Sequence, residues 1–434
     1  MTYTSRLTSR VPVREQAGAL RLIFELPRPV RRLLAGRPVV REGQRLDSDV
    51  QLLLRLQKLA GYQFGGRDVA EARAALEIGS RMAAGPRVGS VSTRPVDIPR
   101  ADGGIPARLY TPTGLAAGSP LLVYYHGGGC VLGSLDTHDA LCRHLARLAD
   151  VRLLAVDYRL APEHPFPAGV DDAVAAFAHV AAHAEELGAD PAALAVGGDS
   201  AGGNLAAVVA HQASQNGTAR PVFALLLYPS TDASVRRPSR NTFGRGFFLR
   251  DSELTWFLNH YAPDPATHTD PRLSVLLADD LRGFPATYLA TAGFDPLRDE
   301  GEAFAARLTE FGVRVTVHRQ PDLVHGYAGM LAASSRCREA VAEAAGALRV
   351  GLALSRPKPR ARRRAAASSA TNSTTRGRAA TTARTASRTA AKSAEKKSAD
   401  KEPTQKQPTQ KAKSAERAAG RRTPKTPGAT PPEE

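Results

Sequence analysis

Between residues 92 and 354 the chain switches repeatedly between two hydrophobic periods, and no other feature restricts its fold as much. Short apolar runs of strand character occupy 92–98, 107–110, 121–125, 153–157, 194–197, 224–228, 287–291 and 313–318. Segments with apolar residues at helical spacing occupy 136–149, 171–187, 203–215, 300–311 and 334–354. Strands that return to one sheet through a helix run parallel and are covered by helices on their faces. The first two runs sit close enough for a hairpin. The pattern predicts an α/β fold, with a mostly parallel, eight-stranded sheet flanked by helices. Stretch 232–263 breaks the alternation, irregular at first and then helical around 252–261, as an insertion over the sheet edge would.

Upstream, Leu46, Val50, Leu53, Leu54, Leu56 and Leu59 keep helical spacing, and a second helix is expected over 67–83. Before them, Leu20, Leu22, Ile23, Phe24, Leu26, Val30, Leu33 and Leu34 make one or two short amphipathic helices, expected as an arm packed on the body. A membrane-surface helix is the other reading, because Arg28, Arg31 and Arg32 lie beside the apolar residues. The N-terminus shows no clean apolar signal core. No stretch approaches the roughly 20 apolar residues of a membrane span. Cys130, Cys142 and Cys337 are odd in number and lack metal-ligand spacing, so free thiols in a reducing cytoplasm are expected.

The formal net charge of +17 suggests a nucleic-acid partner until its location is considered. Residues 356–434 hold 21 Lys and Arg against 6 Asp and Glu, which leaves the rest of the chain nearly neutral. From Pro357 onward there is no Leu, Ile, Val, Met, Cys or aromatic residue. Such a segment buries too little apolar surface to offset its conformational entropy, so a disordered basic tail is expected. Its Lys and Arg suit weak, salt-sensitive, nonspecific contact with nucleic acid or an anionic surface. Without aromatic residues it offers no base stacking.

The chemistry centres on Gly198-Asp199-Ser200-Ala201-Gly202, a G-x-S-x-G motif that follows the apolar run Leu194, Ala195, Val196 and precedes a helical pattern. A serine on a tight strand-to-helix turn is pushed to the top of the sheet, and flanking glycines remove the Cβ clashes of the turn. The helix beyond it aims backbone N–H groups at a developing oxyanion. His126-Gly127-Gly128-Gly129 follows the run 121–125, and a glycine-rich loop there lets further amides approach a substrate carbonyl. Each such donor is typically worth ~2.7–4 kcal/mol in the transition state.

A serine nucleophile needs a base, and the base needs an orienting acid. Asp295 follows the run 287–291 and His325 the run 313–318, so both belong to loops at the strand ends where open α/β sheets bind ligands. Asp299 competes with Asp295 but suits the opening of the next helix. His318, inside a strand run, and His164, in Pro-Glu-His-Pro, read as structural.

With these motifs in order, the sequence resembles the hormone-sensitive lipase family in its bacterial carboxylesterase branch, which has the α/β-hydrolase fold. The matches are H-G-G-G at His126, D-Y-R-L-A-P-E-H-P-F-P-A from Asp157, G-D-S-A-G-G-N from Gly198, D-P-L at Asp295 and H-G-Y at His325, within about residues 46 to 354. The resemblance implies a triad of Ser200, Asp295 and His325, and oxyanion donors from the backbone of Gly128, Gly129 and Ala201, with His126, Gly127 and Asp199 as supporting motif residues. It also implies a helical cap, made here by the N-terminal helices and the insertion. The expected division is an arm and cap over 1–90, a catalytic domain over 91–355 that includes the insertion 232–263, and the tail 356–434. Asp157 and Arg159 are expected to hold loops beneath the site. The implied activity is cofactor-free hydrolysis of carboxylic esters with short or medium acyl chains. Amide, lactone or deacetylase chemistry on the same triad, and a non-catalytic ligand receptor, are the alternatives. One departure is Cys130, where the family commonly has an aromatic residue; a smaller side chain there widens the expected pocket.

Overall fold

Residues 119–125 occupy the centre of the molecule. Leu121, Val123 and Tyr125 point into one apolar layer and Leu122 and Tyr124 into the other, all five fully buried. A strand buried on both faces belongs inside a sheet with helices on either side. The computed structural model describes residues 13–355, apart from 61–67, 86–87, 102 and 218. The expected disordered tail and the start of the arm lie outside the described residues.

In chain order the elements are α1 (Val13–Glu25), α2 (Arg28–Ala35), β1 (Val40–Arg41), β2 (Gln44–Arg45), α3 (Ser48–Leu59) and α4 (Val69–Ala83). Next come β3 (Val91–Arg100), β4 (Gly103–Pro112), β5 (Ser119–Tyr125), α5 (Asp139–Ala149), β6 (Arg152–Val156), α6 (Ala168–Ala182), β7 (Ala189–Asp199), α7 (Ala201–Gln215) and β8 (Phe223–Leu227). The chain continues with α8 (Pro238–Phe243), α9 (Asp251–Tyr261), β9 (Ala286–Phe294), α10 (Arg298–Glu310), β10 (Val315–Val324) and α11 (Ser335–Ser355).

Eight strands make one sheet in the order β10-β9-β8-β7-β5-β6-β4-β3. Neighbours from β10 to β6 pair in parallel, and β4 is antiparallel to both β3 and β6. This is the mostly parallel sheet the alternation predicts. Phe177 and Val180 of α6 and Leu205 and Val208 of α7 fill one layer, while Leu141 and Leu145 of α5 and Val341 and Leu348 of α11 fill the other.

Several boundaries differ from expectation for local reasons. Helix α5 begins three residues later than its apolar spacing suggests because Ser134 and Thr137 bond each other in a turn, Ser134 N donating to Thr137 Oγ1 at 2.9 Å. A short hairpin at β1–β2 turns on Glu42 and Gly43, at φ 48° and 75°. Helix α8 is a single short stretch inside the expected irregular insertion. At the N-terminal side, Asp47 caps α3 by accepting from Asp49 N at 3.2 Å and Val50 N at 3.1 Å, and Ser334 Oγ donates to the same carboxylate at 2.9 Å. Among the described residues no helix is long and apolar enough to cross a membrane.

Candidate active site

Strand β7 ends at Asp199 and helix α7 starts at Ala201, so Ser200 alone makes the turn between them. It does so at φ 56° and ψ −122°, a region costly for a residue with a Cβ and found where structure over-determines it. Three bonds hold it there: Ser200 N donates to Leu227 O at 2.9 Å, and Ser200 O accepts from Asn204 N at 3.1 Å and from Ser230 N at 3.2 Å. Glycine is required beside it. A Cβ at Gly202 would strike Tyr125 O, and one at Gly198 would strike the Gly202 carbonyl.

The carboxyl ends of three other parallel strands converge on this turn. His325 follows β10 and Asp295 follows β9. The His325 Nε2 stands 2.9 Å from Ser200 Oγ, and its Nδ1 stands 2.8 Å from Asp295 Oδ2. Asp295 is fully buried, and its other oxygen accepts from Leu297 N at 2.8 Å. A hydroxyl, an imidazole and a buried carboxylate in this order can pass a proton from oxygen to the ring while the carboxylate holds the ring's orientation. Asp299 lies elsewhere: it opens α10, where its carboxylate accepts from Ser239 N at 2.8 Å and pairs with Arg298.

His126 to Gly129 form the loop after β5. Among the described residues, the backbone N–H groups of Gly128, Gly129 and Ala201 meet no protein acceptor. Gly128 and Gly129 stand at φ 121° and 63°, and a Cβ on Gly129 would run into the Phe257 ring. Asp199 anchors the loop from beneath: its Oδ1 accepts from Gly127 N at 3.1 Å and from Tyr124 OH at 2.8 Å, with His138 Nε2 at 3.4 Å. Burial works against ionisation of Asp199, but the His138 imidazole and the bonds from His138 and Tyr124 outweigh it and hold the carboxyl below its usual range. His126 does not face the cavity. Burial, with His138 nearby, lowers its pKa to about 4, and its ring stacks on Tyr158 at 4.5 Å.

Of the Asp157-Tyr158-Arg159 motif, Tyr158 reaches the site loop, donating from its hydroxyl to His126 O at 2.7 Å. Arg159 instead grips the buried Asp172, with Nη2 2.8 Å from Oδ1. Asp157 bonds through its own N–H to Pro106 O at 2.8 Å. Tyr124 and His138 carried no recognisable mark in the sequence, because each looks like an ordinary buried or loop residue until the fold sets it beside the turn, whereas Tyr158 stands inside a recognised motif that does not itself say which atom it holds.

Ser200 and His325 open onto a cavity of about 830 Å³, within the ~300–1,000 Å³ of small-molecule sites. Leu20, Leu56 and Ile78 line it from the N-terminal helices, and Leu254, Phe257 and Leu258 line it from α9. Cys130 also lines it, buried beside the Tyr158 and Tyr261 hydroxyls, and burial pushes its thiol up to about 12. Among the described residues no cluster of three or more His, Cys, Asp or Glu is placed to hold a metal ion.

A buried carboxyl that the sequence did not mark lies behind the turn. Glu300 accepts from Thr231 N at 2.8 Å and Asp232 N at 3.4 Å, in the loop whose Ser230 holds the Ser200 carbonyl. Burial, reinforced by Asp232 and Asp295 against the two amide bonds, raises its pKa from 4.5 to about 8. A raised carboxyl favours the fold fully below its unfolded pKa, and that contribution is lost as pH climbs through the folded value. Glu300→Gln keeps the acceptor and cannot ionise. Its Tm should therefore overtake wild type between about pH 5 and pH 9, by roughly 3 °C or more. Parallel Tm curves across that window would refute this reading of Glu300.

Known proteins resemble this chain over much of its length. Residues 122–329 match a family described as having the alpha/beta hydrolase fold. The chain is 46% identical over 311 residues to the carboxylic ester hydrolase LipN of Mycobacterium tuberculosis, covering 70% of this chain and 82% of LipN. It is 44% identical over 229 residues to an ethyl acetate hydrolase of Pseudomonas putida, covering 52% of this chain and 72% of that protein. Among solved structures, an esterase from the archaeon Pyrobaculum calidifontis superposes with a TM-score of 0.66 at 38% identity, over 70% of this chain and 98% of its own. The ester hydrolase EH1AB1 from the Lake Arreo metagenome, solved with a bipyridine phosphonate derivative, superposes with a TM-score of 0.69 at 40% identity, over 71% and 99%.

Proposed function

Because this chain belongs to the hormone-sensitive lipase family of α/β-hydrolases, in its bacterial carboxylesterase branch, and is a carboxylic ester hydrolase, we propose that it works through an acyl-enzyme on Ser200. The observation that carries this reading is the Ser200–His325–Asp295 hydrogen-bond chain opening onto an apolar cavity beside three unpaired N–H groups. Ser200 Oγ attacks the ester carbonyl as His325 Nε2 takes its proton. Asp295 keeps Nδ1–H directed at itself and balances the imidazolium. The N–H groups of Gly128, Gly129 and Ala201 receive the oxyanion. The alcohol leaves with the proton from His325, and water, activated by the same ring, releases the acid.

The proposed substrates are esters with short to medium acyl chains. Hydrolysis of p-nitrophenyl esters of increasing length should peak among them and fall for long chains. Cys130 and Phe257 both line the cavity, so they should set where the fall begins. Cys130→Phe should shorten the preferred chain and Phe257→Ala should lengthen it. Profiles unchanged in both variants would remove these residues from the acyl pocket. The buried thiols Cys130, Cys142 and Cys337 suit a reducing compartment, and a cytoplasmic setting is part of this reading.

A further inference from the structure

Helices α1 and α2 leave an unusual set of side chains in solvent. Leu22 is 66% exposed, Leu33 79%, Leu34 42%, Val30 40% and Leu26 37%. A soluble body would normally turn such residues inward. Helix α2 does the reverse. Its Arg31 faces the body, where it pairs with the buried Asp49, while Val30, Leu33 and Leu34, at i, i+3 and i+4, stay outside. Between residues 20 and 37 five arginines stand against one carboxylate, Glu25. Arg21, Arg28, Arg32 and Arg37 are exposed and form no ion pair among the described residues.

We propose that α1 and α2 form a docking face for an anionic phospholipid surface. Aliphatic side chains beside arginines on a short helix are what the boundary between headgroups and acyl chains accepts. Charge chooses this occupant over others. A second copy would bring the same arginine excess, and the chain's own residues 356–434 are also strongly basic. A nucleic acid would leave the aliphatic residues in water. The face borders the catalytic cavity, since Leu20 of α1 and the half-exposed Ile78 line it. Docking there sets the cavity rim against a layer in which apolar esters dissolve.

The test is flotation of the full chain with phosphatidylcholine vesicles with and without phosphatidylglycerol, at low and high salt. High salt screens a purely electrostatic contribution from the basic residues 356–434. The wild type should float with phosphatidylglycerol vesicles and keep part of that binding at high salt. The triple variant Leu22→Ser, Leu33→Ser, Leu34→Ser should bind about tenfold or more weakly, with unchanged hydrolysis of a water-soluble short-chain ester. The double variant Arg28→Glu, Arg32→Glu should lose the preference for phosphatidylglycerol. Wild type that does not float, or aliphatic variants that float as it does, would overturn the proposal. So would a dimer that the same substitutions dissolve.

Discussion

Ser200→Ala should lower kcat/KM for p-nitrophenyl esters by about 10⁴-fold or more, with Tm near that of wild type. The hydroxyl contributes one bond, to His325 Nε2 at 2.9 Å, so little of the fold depends on it. The backbone that places it is held separately, through Leu227 O and Ser230 N. Residual hydrolysis above the uncatalysed rate is expected, because the N–H groups and the cavity remain. Activity within tenfold of wild type would mean that another group attacks the ester.

Gly202→Ala should damage fold and activity together. The added methyl meets the Tyr125 carbonyl, with His126 O 2.5 Å away. Both are backbone atoms of β5 and the loop after it, so no side-chain rotation relieves the clash. Separating β5 from α7 costs about 3 kcal/mol by analogy with overpacked cores, which lowers Tm by roughly 4 °C in a body of this size. The displaced turn also moves Ala201 N–H away from Gly128 and Gly129. Activity should fall about 10²-fold or more even where the variant is folded, because one oxyanion donor is misplaced. A variant with wild-type Tm and activity would show that the turn has room the geometry denies.

Much of the sheet was legible because its strands are buried on both faces and therefore read as unbroken apolar runs. Leu121 to Tyr125 is one such run, and its neighbours in β6, β7 and β8 read the same way. Element ends were less legible. Gly202 and Gly203 are poor helix formers, so sequence spacing puts the start of α7 at residue 203, whereas the turn at Ser200 starts it at Ala201. Helix α8 has too few residues for a period to show. It exists because Ser239 Oγ donates to Pro296 O at 2.8 Å and its N–H to Asp299, partners some sixty residues away.

The same contrast holds at the site. Ser200, His325 and Asp295 stand in local motifs and can be named one by one, and the structure sets them in one hydrogen-bond chain. Tyr124 beneath Asp199, Phe257 over Gly129 and Glu300 behind the turn act through distant neighbours. No local spacing records those neighbours. The exposed leucines of α1 and α2 are a middle case. Their amphipathic pattern was visible, but which face turns to the body depends on Arg31 finding Asp49.

The claim that Ser200 carries the acyl group is tested most directly by reacting the protein with a p-nitrophenyl alkylphosphonate and locating the adduct by mass spectrometry. A single phosphonyl group on the peptide containing Ser200, formed in step with release of p-nitrophenol and loss of esterase activity, is the predicted result. Inactivation with the adduct on another residue, or full labelling of Ser200 with activity intact, would contradict it.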